Sequence, residues 1–438
     1  MSKQMREMKD SGIEWIGEIP KEWTIKKFKY TFKIIGGSGF KEEYQGNENG
    51  DFPFCKASDI NGSNMFLSSA RNYVDQELVK KERYSIVPVN SIIVAKIGEA
   101  LKKNHRKINT VPCIVDNNCE AFSTVSNDLA KYNYYILLIV DLSRFDNGGT
   151  VPSVNNDKLK NFYFPCPSIP TQHRIVDYLD DKCGKIDRYI EQQKQVIEKL
   201  KAYKQSVITE AVTKGLDPTV PMKDSGVEWI GEIPEGWEVR KLKSLTTMIS
   251  KGTTPTTVGK DLVDFGNIRF IKCENIIGGE IENEPEFFID EETNEKLKRS
   301  KLEINDILFV IAGATIGKTA IVKESNLPAN TNQAVSFVRL KNKSDARFVW
   351  YYLQSNMVKA VLKLLSVQSA QPNLSMTDLG NFYLPYTEYK SQNEIDNYLD
   401  KKCSAIDSAI EKKQTLIEEL TEYKKSLIYE VVTGKKEV

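Results

Sequence analysis

"FYFPCPSIPTQHRIVDYLDDKCGKIDRYIEQQKQVIEKLKAYKQSVITEAVT", residues 162–213, reappears with many matches as "FYLPYTEYKSQNEIDNYLDKKCSAIDSAIEKKQTLIEELTEYKKSLIYEVVT", residues 382–433. Apolar positions in each copy step by four and three, the spacing of one face of a helix. The first copy supplies Leu179, Cys183, Ile186, Ile190, Ile197 and Leu200, and the second Leu399, Cys403, Ile406, Ile410, Ile417 and Leu420. The seam is interrupted at Gln193/Lys413 and at Lys204/Lys424. No proline falls between Gln172 and Thr213 or between Gln392 and Thr433. Each run therefore predicts a rod of about 40 residues and roughly 60 Å. Matching length and spacing favour packing of the two helices on each other, antiparallel if a pseudo-two-fold axis relates the halves. Two separate amphipathic helices, each on its own domain, and pairing between chains stay open.

Working outward, a second repeat precedes each half: "MKDSGIEWIGEIP" at 8–20 and "MKDSGVEWIGEIP" at 222–234. The offset grows from 214 at the box to 220 at the helix, so the second intervening block is six residues longer. The chain reads as a tandem duplication with constant ends and diverged middles. It divides into a box (1–21), a variable block (22–165), a helix (166–221), a second box (222–235), a second block (236–385) and a second helix (386–438). The repeated box is expected to belong to the constant frame, with its N-terminal copy packed beside the end of the C-terminal helix. A hydrophobic plug onto its own domain is a compatible local role.

The two middle blocks carry short β-branched and aromatic runs broken by Gly, Asn and Pro. Examples are "NSIIVAKIG" (90–98), "IRFIKCENI" (268–276) and "NDILFVIAG" (305–313). Helices are predicted within "DLAKYNYYILLIV" (128–140) and "DARFVWYYLQSNMVKAVLKLL" (345–365). The fold class is α/β (α+β): two domains of mixed sheet plus helices, joined by two long helices in an antiparallel coiled coil.

Composition narrows the function. The longest apolar run, "YYILLIV" (134–140), is far short of the roughly 20 residues a membrane span needs. The first residues have no apolar core, so a secretory signal is not expected. Seven cysteines without a CxxC pair point to reduced thiols and a cytoplasmic protein. Two histidines, His105 and His173, argue against a metal site or a histidine-based triad. Net charge is +4 over 21–165 and +1 over 235–385, so any DNA affinity must come from local patches or be shared with partner subunits.

"AGATIGKTA" (312–320) nearly spells a phosphate-binding P-loop, but such a loop must open a helix. Here "AIVKESNLP" follows, which leaves no room for one, and a turn between strands is the expectation. Its counterpart in the first half, "KIGEALKKNHRK" (96–107), lacks the motif but is cationic.

With these motifs in view, the chain resembles the DNA-specificity subunits of type I restriction–modification systems over nearly all of residues 8–433. The carriers are the doubled box, the "YLD.KC..ID..I" opening of each helix, and "KGTTP" (251–255), "IKCENI" (271–276), "NTNQA" (330–334) and "LGNFYLPY" (379–386). The first block fits less fully, with "IIGGSGF" (34–40) standing where "KGTTP" would be expected. The resemblance implies that each block is a target-recognition domain reading one half of a split double-stranded DNA sequence. It implies that the helices set the spacing and dock modification subunits, two in number, with restriction/translocase subunits joining them. S-adenosylmethionine, ATP and Mg would then sit on those partners, with no cofactor and no catalytic residue on this chain. Candidate DNA contacts on polar loops are Lys56, Lys102, Lys103, Arg106, Lys107, Lys251, Thr253, Thr254, Lys272, Lys318, Thr319, Gln333 and Gln368. Such side chains pair with base edges or phosphates. Lys56 and Lys272 read equally well as ordinary edge lysines. A stand-alone DNA-binding regulator and a coiled-coil adaptor that binds protein only are the rival classes.

Overall fold

The computed structural model describes residues 6–62, 64–126, 128–366 and 373–438. The chain divides into two units. One joins Met1–Lys194 to Gln414–Val438, and the other is Gln195–Lys413. Both long helices form, over Ile169–Lys214 (46 residues) and Tyr389–Val432 (44 residues), each slightly longer than the sequence predicts. All twelve seam positions are buried or half-buried.

In the first unit the helices run antiparallel. Lys436 lies over the Tyr178 ring and Lys424 pairs with Asp187 at 2.6 Å, so numbers fall along one segment as they rise along the other. In the second unit Lys204 pairs with Asp407 at 2.6 Å, while Gly215 and Ile395 line one hollow, again antiparallel. Pairing is within the chain. Lys204 and Lys424, which together form one of the two interruptions of the seam, are thus the cations of two equivalent half-exposed ion pairs.

Each box folds as a hairpin, Met8–Asp10 with Glu18–Pro20 and Met222–Asp224 with Glu232–Pro234, in the same register. Its "DSG" is a turn signal: Gly12 N–H donates to Asp10 Oδ1 at 2.9 Å, and Gly226 N–H to Asp224 Oδ1 at 2.9 Å. In the first unit Ile16, Ile19 and Trp23 pack with Leu427, Ile428, Val431 and Val432 of the C-terminal helix. A Cβ added at Gly434 would lie 2.4 Å from Pro20 Cδ, so the helix end and the box fit only with glycine there. In the second unit Ile230, Ile233 and Trp237 pack with Val207, Ile208, Ala211 and Val212. Each box seats on the end of a long helix, as expected for the N-terminal copy.

The middle blocks are built alike. The first has a five-stranded sheet in the order Phe32–Gly36, Cys119–Thr124, Ile92–Ala95, Arg106–Asn109, Phe66–Leu67. The second has Thr246–Lys251, Val335–Leu340, Ile307–Val310, Thr319–Ile321. Central strands are buried on both faces, which explains their unbroken apolar sequences. Ile92 and Val94 join one core while Ile93 joins another, and Ile307 and Phe309 part from Leu308 and Val310 in the same way. The predicted helix at 128–140 forms as Ala130–Leu138. That at 345–365 is two helices, Ala346–Leu353 and Asn356–Ser366.

One carboxylate on each long helix binds two side chains of its block. Tyr135 Oη donates to Asp180 Oδ1 at 2.6 Å, and Lys131 pairs with the same carboxylate. In the second unit Tyr351 Oη donates to Asp400 Oδ1 at 2.6 Å, and Arg347 pairs with it.

Candidate nucleic-acid interface

Strand directions decide which loops meet. In the second block the end of Thr246–Lys251, the end of Ile307–Val310 and the starts of Val335–Leu340 and Thr319–Ile321 lie at one end of the sheet. That end gathers Lys251, Thr253, Thr254, Lys318 and Gln333 from three separate stretches of sequence. Thr254 Oγ1 donates to Gln333 Oε1 at 2.7 Å, and Thr253 N–H donates to the Thr331 carbonyl at 3.0 Å. The two loops cross so closely that a Cβ at Gly252 would lie 1.9 Å from the Thr331 oxygen, which is why "KGTTP" has glycine there. Lys272 follows the neighbouring strand Ile268–Ile271, which runs parallel to Ala329–Thr331 and ends on the same side. Its Nζ sits 3.4 Å from the centroid of the Phe287 ring, so much of its charge faces a π surface.

The first block repeats this. Phe32–Gly36, Ile92–Ala95 and the starts of Cys119–Thr124 and Arg106–Asn109 present their loops together. A Cβ at Gly37 would lie 1.7 Å from the Asp116 oxygen, so Gly37 is the counterpart of Gly252. "IIGGSGF" thus stands in the place of "KGTTP" in the fold as well, although it departs from that motif in sequence. The signal was the glycine and not the hydroxyls after it. Ser38 and the exposed Asn117 and Asn118 join this face and were not among the sequence candidates.

Other candidates fall in different places. Lys102 is exposed and pairs with Glu99 at 2.6 Å, and Lys103 is exposed. Lys56 Nζ donates to Gln45 Oε1 at 2.6 Å beside the Phe40 ring. Arg106 is only 3% exposed, and its guanidinium donates to the carbonyls of Asn104 and Val140 and to Asn104 Oδ1. Burial lowers its pKa to about 9, still protonated at neutral pH. Arg106 is therefore a structural cation rather than a loop side chain, because the strand Arg106–Asn109 is covered on both faces. Lys107 and Thr319 are likewise buried in strands. Gln368 lies outside the described residues.

The blocks differ beneath this face. In the first, Glu120 is fully buried, its Oε2 accepts from Asn156 Nδ2 at 3.0 Å, its Oε1 meets no protein donor, and burial raises its pKa. Lys96 is the nearby cation that opposes that rise. By strand register the second block has Ile311, Ser336 and Met376 at the places of Lys96, Glu120 and Asn156.

"AGATIGKTA" runs from a turn, with Lys318 N–H donating to the Thr315 carbonyl at 3.2 Å, directly into the strand Thr319–Ile321. No helix opens there, so the phosphate cradle of a P-loop does not form. Among the described residues no cluster of His, Cys, Asp and Glu is placed to hold a metal, and no helix is long and apolar enough to cross a membrane.

The family model of the type I restriction modification DNA specificity domain matches twice, over residues 20–202 and 234–422, which takes in most of the chain. The chain belongs to that family. It is similar to the MjaVIII specificity subunit of Methanocaldococcus jannaschii, 28% identical over 296 residues, covering 65% of this chain and 67% of the relative. It is similar to the EcoBI specificity subunit of Escherichia coli, 24% identical over 401 residues, covering 89% and 81%. A chain solved in work on complex assembly and conformational transition of the type I R-M system shares its fold. The TM-score is 0.67 at 14% identity, with 95% of this chain and 99% of that one covered. As a type I specificity subunit the protein is a DNA-recognition component and not a catalyst. Each match takes in one middle block and the larger part of the long helix that follows it.

Proposed function

We propose that the blocks 22–165 and 236–385 are target-recognition domains, each reading one half of a bipartite double-stranded DNA sequence. The long helices set the separation of the halves and dock two modification (methyltransferase) subunits, with restriction/translocase subunits joining the assembly. The complex works in the cytoplasm, with S-adenosylmethionine, ATP and Mg on the partner subunits. The observation that carries this reading is the equivalence of the two loop clusters. The same sheet end gathers the same crossing loops, pinned by Gly37 and Gly252, while the side chains they display differ. A reader of two unlike half-sites needs a constant frame and variable tips, and pseudo-symmetry in the protein mirrors the arrangement of its half-sites. The long helices have the opposite character. Tyr203 and Tyr423 are the same residue in both copies and about half exposed (52% and 55%), which suits a partner that meets one surface twice.

Within each face the proposed contacts are Lys102, Lys103, Ser38, Asn117 and Asn118 in the first, and Lys251, Thr253, Thr254, Lys318 and Gln333 in the second. Lys56 and Lys272 lie at the margins. The test is a methylation map. The chain is expressed with its modification subunits in a host lacking DNA methylation, then again with residues 236–385 exchanged for another reader. A two-part motif of which one half changes is the expected result. A stable complex without new methylation would point to the protein-binding adaptor, and DNA binding without any complex to the stand-alone regulator.

A further inference from the structure

The turn that supplies Lys318 to the recognition face has a second side. There a cleft of about 500 Å³ opens among that turn, the Gly278–Gly279 turn, the helix Asn356–Ser366 and the long helices of the second unit. Four lysines line it, Lys201, Lys204, Lys318 and Lys359, against one carboxylate, Asp407. Asp407 is already taken by Lys204 at 2.6 Å. Lys201 reaches only the exposed Glu198, in a pair that water screens. Lys359 is matched with a neutral amide, that of Gln205, and burial lowers its pKa. The wall thus carries more positive charge than the protein neutralises.

Thr319 stands in the same wall as these lysines. It is 4% exposed, lines the cleft, and its Oγ1 has no partner in the protein. A buried hydroxyl without a hydrogen bond costs about 1–3 kcal/mol, so an acceptor oxygen entering the cleft would remove a standing penalty. Lysine ammoniums and a hydroxyl around one hollow are the donor set of a phosphate oxyanion. A nucleotide base would have little to rest on, since no aromatic side chain lines the cleft among the described residues and no helix begins at Lys318.

We propose that this cleft grips one phosphate of the DNA backbone, with Lys201, Lys318 and the Thr319 hydroxyl as donors. The grip rests on the recognition function proposed above and refines it: the contact fixes register on the duplex and reads no base. It belongs to the second half alone, because Thr421 stands at the place of Lys201 in the other helix copy.

The complex of this chain with its modification subunits tests the proposal by titration of a target duplex and a scrambled duplex over a range of salt. Lys201→Gln with Lys318→Gln should weaken both by the same factor, roughly tenfold at moderate salt. The log–log salt slope should flatten by about one. Thr319→Val, which keeps the shape, should weaken both duplexes by a smaller common factor. A duplex with a single neutral methylphosphonate, moved along the second half-site, should weaken wild type at one position and leave the double variant unaffected there. Unchanged affinity for both duplexes, or a loss confined to the target, would overturn the proposal. So would calorimetric binding of ATP or inorganic phosphate to the full chain that the double variant abolishes while DNA affinity stays constant, since the phosphate would then be a free one. If the wild-type complex does not prefer the target, the recognition reading itself fails. That result differs from a cleft failure, in which wild type discriminates and the variants match it.

Discussion

Substituting Gly252 by alanine tests whether the recognition face depends on two backbones crossing without side chains. The added Cβ would lie 1.9 Å from the Thr331 oxygen and 2.4 Å from that of Asn332. Ordinary contact needs about 3.4 Å, so the two loops must separate by roughly 1.5 Å. That movement breaks the hydrogen bonds from Gly252 N–H to Val335 at 3.1 Å and from Thr253 N–H to Thr331 at 3.0 Å. Two net hydrogen bonds at about 1 kcal/mol each, with about 1–3 kcal/mol of overpacking, give a loss of roughly 3–5 kcal/mol. Spread over a unit of about 200 residues, this lowers its melting temperature by on the order of 10 °C. Gly184, with nothing within 4 Å of an added Cβ, is the control. Alanine there sits mid-helix and should leave stability unchanged or raise it by up to about 1 kcal/mol. Calorimetry of both variants reads the stability, and methylation mapping reads the face. The half-site assigned to residues 236–385 should blur while the other half stays sharp. A Gly252→Ala chain that melts within about 2 °C of wild type and methylates the same motif would refute the reasoning.

Asp396 is 3% exposed, its Oδ1 has no partner, and burial raises its pKa from 3.8 to about 7 against the opposing pull of Arg347. The folded chain holds this proton while the unfolded chain releases it, so stability should fall as pH rises from about 4 to 7, by at most about 4 kcal/mol. Asp396→Asn should flatten that fall in thermal melts and be the more stable form above pH 7. Arg106→Gln should destabilise the first unit by about 2–4 kcal/mol, because it strips donors from buried carbonyls. A normal melt with weakened DNA binding would instead make Arg106 a loop reader. Tyr351→Phe and Asp400→Asn, alone and combined, should show a coupling of about 1–2 kcal/mol in denaturant unfolding, and additive losses would mean that the tie to the long helix carries no energy.

The frame was legible from periodicity and repetition, because both are properties of sequence spacing. Leu179 to Leu200 and Leu399 to Leu420 step as a helix must, and the boxes repeat nearly letter for letter. The recognition face was half legible. Lys251, Thr253, Thr254, Lys318 and Gln333, which lie at one sheet end, stand out in the sequence as polar residues in breaks between apolar runs. Arg106 and Lys107 follow such a break within two residues, and nothing local in the sequence shows that the strand they open is covered on both faces. Ser38, Asn117 and Asn118 do not stand out, because which loops meet is settled by strand order, a non-local property that one block's sequence does not spell out. The ion-pair role of Lys204 and Lys424 was hidden for the same reason: each looks like a flaw in its own helix until the opposing helix is present.

Those two ion pairs constrain how the halves can change over generations. Asp187 and Asp407 are copies of one ancestral residue, as are Lys204 and Lys424, yet Asp187 bonds Lys424 and Asp407 bonds Lys204. Each residue depends on a descendant of its former neighbour that now lies more than 200 positions away. A change of charge at one member of either pair leaves its partner in the other copy unmatched. No residue displayed on the two loop clusters enters these pairs, so the display can change without unmatching them.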